Sequence, residues 1–222
     1  MDLSKIVEYD VEFKFISPLL GTASTNKRIY RDFIASKAMT TVNGNVPHFP
    51  ADEADLVAEN DTPGMTGFLH DPLTAKPVLS AHMIKGYLKE ACKAMREVPN
   101  TKVAKLTAHQ SKINRFVFVN PRYIAIDFPG QITLNERPLR AETVQGPRIT
   151  LACSEQIEHA KIAFTLRVIG ESISEEILKE CFYYGQSMGI GQWRNANYGA
   201  FVYRFKAVRE VEVDTHADTW IE

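Results

Sequence analysis

The chain lacks the spacings that build disulfide frameworks and metal sites. It has no CxxC and no HxxxH, and Cys92, Cys153 and Cys181 stand far apart among apolar neighbours. An odd, scattered set of this kind predicts reduced, mostly buried thiols. No apolar run approaches bilayer length. Residues 1–9 alternate charged and apolar side chains and lack the apolar core of a signal peptide, so a soluble, cytoplasmic protein with no membrane partner is expected. Net charge is missing as well. Against 27 Asp and Glu stand 26 Lys and Arg, leaving −1 at pH 7, so no global field draws the chain to nucleic acid. Any basic surface must be local. The 222 residues can bury a full core and fit one elaborated domain over 1–222 better than two.

Carboxylates are absent from residues 98–126, a stretch that carries Lys102, Lys105, Lys112, Arg115 and Arg122. Just before it, residues 81–96 make the clearest amphipathic helix, with Ile84, Leu88, Ala91, Cys92 and Met95 as its apolar stripe. Its other side is basic: Lys85, Lys89, Lys93 and Arg96 repeat at helical spacing. A solvated helix face is the plain reading. Segregation of one sign in a neutral chain points instead to a local phosphate-binding surface.

Glycine is sparse, 12 in all, yet four of them fall in residues 185–199: Gly185, Gly189, Gly191 and Gly199. Gln192, Trp193, Arg194, Asn195 and Tyr198 share that stretch. A helix cap and tight connection is the plain account of such a segment. Its composition also suits a binding loop, because glycine lets backbone N–H groups approach a ligand, arginine offers a forked donor and aromatics offer flat faces. The order is helix, loop, strand. Phosphate loops and dinucleotide folds run strand, glycines, helix, and no Gly-Lys-Ser/Thr follows here, so neither ATP nor NAD nor any other cofactor is expected.

The rest of the chain supplies a skeleton. Val7, Tyr9, Val11, Phe13 and Phe15 alternate with charges in a half-buried strand. An insertion follows over 20–78: a short helix over 26–38, an irregular acidic flap over 39–64, and a hairpin over 65–79 turning at His70, Asp71 and Pro72. The flap's carboxylates lack the ordered alternation of a calcium loop, so no metal is expected. Strands are predicted at 115–120, 123–127 and 131–134, a charged loop at 136–143, a strand entered through Pro147 and Arg148, and a central strand at 159–169 with Ile162, Phe164, Leu166 and Val168 inward. Ser174 caps a helix opening on Glu175 and Glu176, whose buried face is Ile177, Leu178, Cys181 and Phe182. A last strand over 200–207 and a loosely held acidic tail over 210–222 close the chain. The order gives an α+β fold with a βαββαβ core, two helices on one face of an antiparallel sheet, and a long insertion after the first strand.

Two segments then carry a resemblance. Met188-Gly189-Ile190-Gly191-Gln192-Trp193-Arg194-Asn195-Ala196-Asn197-Tyr198-Gly199-Ala200-Phe201 resembles the glycine-rich loop of the RAMP (repeat-associated mysterious protein) superfamily of CRISPR-associated RNA-binding proteins, in the same place between last helix and last strand. Pro77-Val78-Leu79-Ser80-Ala81-His82-Met83-Ile84-Lys85-Gly86-Tyr87-Leu88-Lys89 is similar to the segment that opens the family's first helix. The likeness is greatest to the backbone subunits of effector complexes. It implies a ferredoxin-like (RRM-like) core and RNA or single-stranded DNA held by backbone contacts, stacking and a basic surface.

Three functions fit these residues. In the first, a non-catalytic nucleic-acid-binding protein, Gly189, Gly191, Gln192, Arg194 and Asn195 approach phosphates, Trp193 or Tyr198 stacks, and Lys85, Lys89 and Arg28 extend the track. Its partners are RNA or single-stranded DNA, with copies of itself or other CRISPR-complex subunits. In the second, a metal-independent endoribonuclease, His48, His70 and His82 are the candidate acids and bases and Asp32 perturbs the scissile bond. In the third, the chain is encoded by a mobile element and imitates or blocks a CRISPR complex.

Overall fold

The computed structural model describes residues 5–26, 64–143 and 146–212. The expected short helix and acidic flap, with Arg28, Asp32 and His48, fall almost wholly in 27–63, outside the described residues.

Strand β1 (Lys5–Phe15) is followed by short strands β2 (Leu19–Leu20), β3 (Ala23–Ser24), β4 (Met65–Gly67), β5 (Leu69–His70) and β6 (Pro77–Ser80). Helix α1 (Ala81–Met95) comes next, then a 3-10 turn (Val103–Lys105) and helix α2 (His109–Phe116). Strands β7 (Val117–Asn120), β8 (Tyr123–Asp127), β9 (Thr133–Thr143), β10 (Gly146–Ile157) and β11 (Lys161–Ile169) lead to helix α3 (Glu175–Tyr183) and the last strand, β12 (Phe201–Glu212).

The core sheet runs β12, β1, β11, β7, each pair antiparallel. Counting β7 as second and β11 as third strand of the core, this is the ferredoxin-like order, so the expected βαββαβ fold is what the chain adopts. Alternation decides the faces. Tyr9, Val11, Phe13 and Phe15 of β1 and Ile162, Phe164, Leu166 and Val168 of β11 are all buried on one side, where α1 brings Ile84, Leu88, Ala91 and Cys92 and α3 brings Ile177, Leu178, Cys181 and Phe182. Phe13 is the hub, its ring 3.9 Å from that of Phe201, 5.0 Å from Phe164 and 5.2 Å from Phe182. The two helices touch directly: Tyr87 Oη donates to the Cys181 carbonyl at 2.6 Å, and the thiols of Cys92 and Cys181 lie 3.2 Å apart. Both thiols are buried and free, and Cys153, also free, is half-buried. Ser174 caps α3 as expected, its hydroxyl accepting from the Ile177 N–H.

The second core strand is split. Val117–Asn120 pairs with the far half of β11, and Tyr123–Asp127 pairs with Lys161 and Ile162 while its other edge takes β6. The hairpin expected over 65–79 thereby extends the core sheet through β6 and β5.

Two elements differ from expectation. Residues 115–116, expected as strand, belong to α2, which was not foreseen because its eight residues bury only His109 and Ile113, too few to show a helical period. Residues 136–143, expected as a charged loop, are strand: β9 pairs with β10 residue for residue from Thr133↔Gln156 to Thr143↔Gly146. Among the described residues β9 has a single partner, β10, and an edge strand tolerates charges and a proline such as Pro138. The other edge of β10 takes β2 and β4, and β4 takes β3, making a second, five-stranded sheet. β12 continues to Glu212 against Lys5, into the stretch expected as a loose tail. No helix among the described residues is long and apolar enough to cross a membrane.

Candidate functional site

The glycine loop joins α3 to β12 and folds back on itself. Ile190 N–H donates to the Gly199 carbonyl at 3.0 Å, and the crossing is so close that a Cβ on Gly189 would sit 2.2 Å from the Gly199 carbonyl carbon. Gly199 itself holds φ +69, with Ile190 O 1.8 Å from where its Cβ would be. The glycines at this crossing serve backbone-to-backbone packing, a use that composition alone does not distinguish from ligand approach. The loop is then pinned to the turn after β1: Gly199 N–H donates to Pro18 O and Ala200 N–H to Ser17 Oγ, each at 2.8 Å.

One side of the loop lies on the second sheet through a polar seam. Arg137 of β9 is its centre, only 7% exposed. Its guanidinium donates to Asn135 Oδ1 at 3.2 Å, to Ser154 Oγ at 3.0 Å and to Gln192 Oε1 at 2.9 Å, and lies 4.3 Å from the centroid of the Trp193 ring. Gln192 Oε1 also accepts from Ser154 and Thr66, and Tyr198 Oη accepts from Asn135. Arg137 has no carboxylate partner among the described residues. Burial pushes its pKa down from the ordinary value, with Tyr198 and Cys153 opposing, but an arginine stays charged in a protein. Three neutral oxygens and one aromatic face therefore hold a buried positive charge. The sequence hid this residue inside a run that reads as a solvated loop.

The other side of the loop is open. Among the described residues, Gly191, Trp193, Arg194, Asn195 and Ala196 line a hollow of about 530 Å³, and a smaller one of about 230 Å³ runs between Ile190, Gly191 and Arg194 and the Met83, Tyr87 and Glu90 side of α1. Arg194 is ion-paired with Glu90 of α1, so that its charge is partly answered. Asn195 is exposed, and no backbone N–H from Gly191 to Asn195 has an acceptor among the described residues. Trp193 is 37% exposed and meets Tyr198 edge-on, centroids 6.4 Å apart.

Of the predicted site, then, Gly191, Trp193, Arg194 and Asn195 come together at the hollow, while Gln192 and Tyr198 turn to the seam and Gly189 is buried. Lys85 faces elsewhere: its Nζ donates to Asn114 O at 3.2 Å and lies 5.2 Å from the centroid of the Phe118 ring. Burial first and Lys89 second push the Lys85 pKa down. These two lysines belong to a basic surface that α1 shares with α2, where Lys93 and Arg96 crowd His109 and, after burial, help push its pKa down. His70 is half-buried on β5 and His82 is exposed at the start of α1; neither lines either hollow at the loop. No group of three or more His, Cys, Asp or Glu among the described residues is placed to hold a metal.

The open face of the core sheet is a different surface. Glu8, Asp10 and Glu12 run down β1 between Arg167 and Thr165 on β11 and Arg204 and Lys206 on β12. Arg167 pairs with Glu8 at 2.7 Å and Arg204 with Glu12 at 3.8 Å. The outward positions of β1 and β11 carry no aromatic ring, and the central stripe is acidic. An RRM-type stacking platform needs the reverse.

No family model matches the chain, and no curated protein matches it. Among solved structures it is similar to a chain in the cryo-EM structure of the Type III-B Cmr-beta bound to cognate target RNA, with a TM-score of 0.50 and 12% identity over 92% of this chain and 61% of that one. The chain thus spans about three fifths of that neighbour's length. At this identity the likeness is one of fold.

Proposed function

We propose that the chain is a non-catalytic, cytoplasmic protein of RAMP type that binds RNA or single-stranded DNA at the glycine loop and along the basic α1–α2 surface, alongside CRISPR-complex subunits or copies of itself. The observation that carries this reading is the open hollow at Gly191, Trp193, Arg194 and Asn195, which combines backbone N–H groups that have no acceptor among the described residues, a guanidinium and a partly exposed aromatic. Those are the three contacts a flexible phosphodiester with unstacked bases takes up. The fold shared with a chain in the structure of the Type III-B Cmr-beta bound to cognate target RNA is consistent with it. His70 and His82 line neither hollow at the loop.

The test is fluorescence polarisation of labelled single-stranded RNA and DNA at two salt concentrations, with the native chain and Arg194→Ala. Binding should fall steeply with salt, because phosphate neutralisation releases counterions, and should weaken in the variant. Absence of binding to either polymer at low salt would remove this reading.

A further inference from the structure

Trp193 is both packed and exposed. Arg137 covers one at 4.3 Å, and Arg137 is not among the residues that line the open hollow, whereas Trp193 is. Arg137 therefore leaves part of Trp193 bordering the hollow. A tryptophan 37% exposed, with a guanidinium over its ring that is itself fixed by Asn135, Ser154 and Gln192, is an aromatic plate held in place and still open in part. The Nε of Arg137 is buried without a partner, so this charge is held in place despite incomplete hydrogen bonding. Burying a charge without a carboxylate is costly, and its stacking on Trp193 supplies a reason for its presence.

We infer that the face of Trp193 away from Arg137 is a stacking site for one unpaired nucleobase, and that Arg137 is the positioning residue that holds the ring for it. This deepens the binding reading above and rests on it. The ligand recognised at this point is the base and not the phosphate, so the site accepts single strands and rejects duplex. Sequence preference should be slight, because every base has a π face. Tyr198 meets the ring at a steep angle, centroids 6.4 Å apart, and is a second packing contact on the plate.

The chain has two tryptophans, Trp193 and Trp220, so Trp220→Phe leaves Trp193 as the sole emitter. In that background, titration with a short oligouridylate should quench Trp193 emission, while an abasic phosphodiester of the same length should bind about tenfold more weakly and leave the emission unchanged. Trp193→Ala should weaken oligouridylate binding by about the same factor and leave abasic binding as it was. Arg137→Lys keeps the charge and loses the planar stack; it should lower the preference for the base-bearing strand, a ratio that a merely structural residue would not move in a folded variant. Equal affinity for both strands without quenching overturns the stacking site and leaves the binding reading standing. No binding of either strand overturns both, and an unchanged ratio in Arg137→Lys overturns the role given to Arg137.

Discussion

The open face of the core sheet and the glycine-loop surface both carry arginines and lysines, yet they are electrostatically unlike. On the sheet the cations face anions across the strands, as Arg167 meets Glu8 and Arg204 meets Glu12. At the loop, Arg194 meets Glu90 but Arg137 has only neutral acceptors among the described residues, and along α1 and α2 burial first, then Lys89, Arg96 and Lys93, push down the pKa values of Lys85 and His109. A cation that faces several anions offers a ligand less than one set among like charges. The place to look for phosphate is therefore where like charges crowd.

The largest effect should come from the loop crossing. Gly199→Ala puts a side chain at φ +69 and against Ile190 O, so the two strands of the loop must separate. A loss of about 2–4 kcal/mol in denaturant unfolding is expected, with nucleic-acid binding abolished under conditions where the variant is still folded. Full binding by a folded Gly199→Ala would mean that the loop geometry is not the site.

Next come paired charge deletions on the two surfaces. Lys85→Ala with Lys89→Ala should reduce the slope of log affinity against log salt by about two, one for each phosphate no longer neutralised. Arg204→Ala with Lys206→Ala on the sheet should leave the slope as it was, since there the cations face Glu12 and Asp10. An equal reduction by both pairs, read by polarisation over a salt series, would erase the distinction between the surfaces.

Much of the architecture was legible in the chain, and for clear reasons. Strands β1 and β11 alternate strictly, α1 keeps an apolar stripe over four turns, and Ser174 marks the start of α3. What could not be read depended on long-range pairing. β9 is a strand because β10 pairs with it, and its own residues from 136 to 143 look like solvent-facing loop. Arg137 follows from that error: a charge in a loop is solvated, whereas the same charge in β9 lies under the glycine loop. Arg194 was found by composition, but its partner Glu90 lies on another element, so the pairing was invisible. Lys85 and the loop share only a chemistry suited to phosphate, which a sequence shows without showing direction; the helix turns Lys85 toward Asn114 instead.

The smallest effect should be on pH dependence, and it sharpens the same contrast. His109 is buried at the start of α2, where burial, Arg96 and Lys93 all disfavour its charged form and hold its pKa below 6.5. A base with a depressed folded pKa contributes stability that is present above its unfolded pKa and is lost as pH falls through the folded value. Unfolding midpoints in urea should therefore fall between about pH 7.5 and about pH 5.5, and His109→Gln should flatten part of that change. Bound phosphate alters the sign of the surroundings: anions set among Lys93 and Arg96 screen the repulsion that keeps His109 neutral. Binding at this surface should then take up protons, and affinity should rise as pH falls through the range where stability declines. If affinity and stability fall together in the native chain, and His109→Gln changes neither, the phosphates do not lie on the α1–α2 surface.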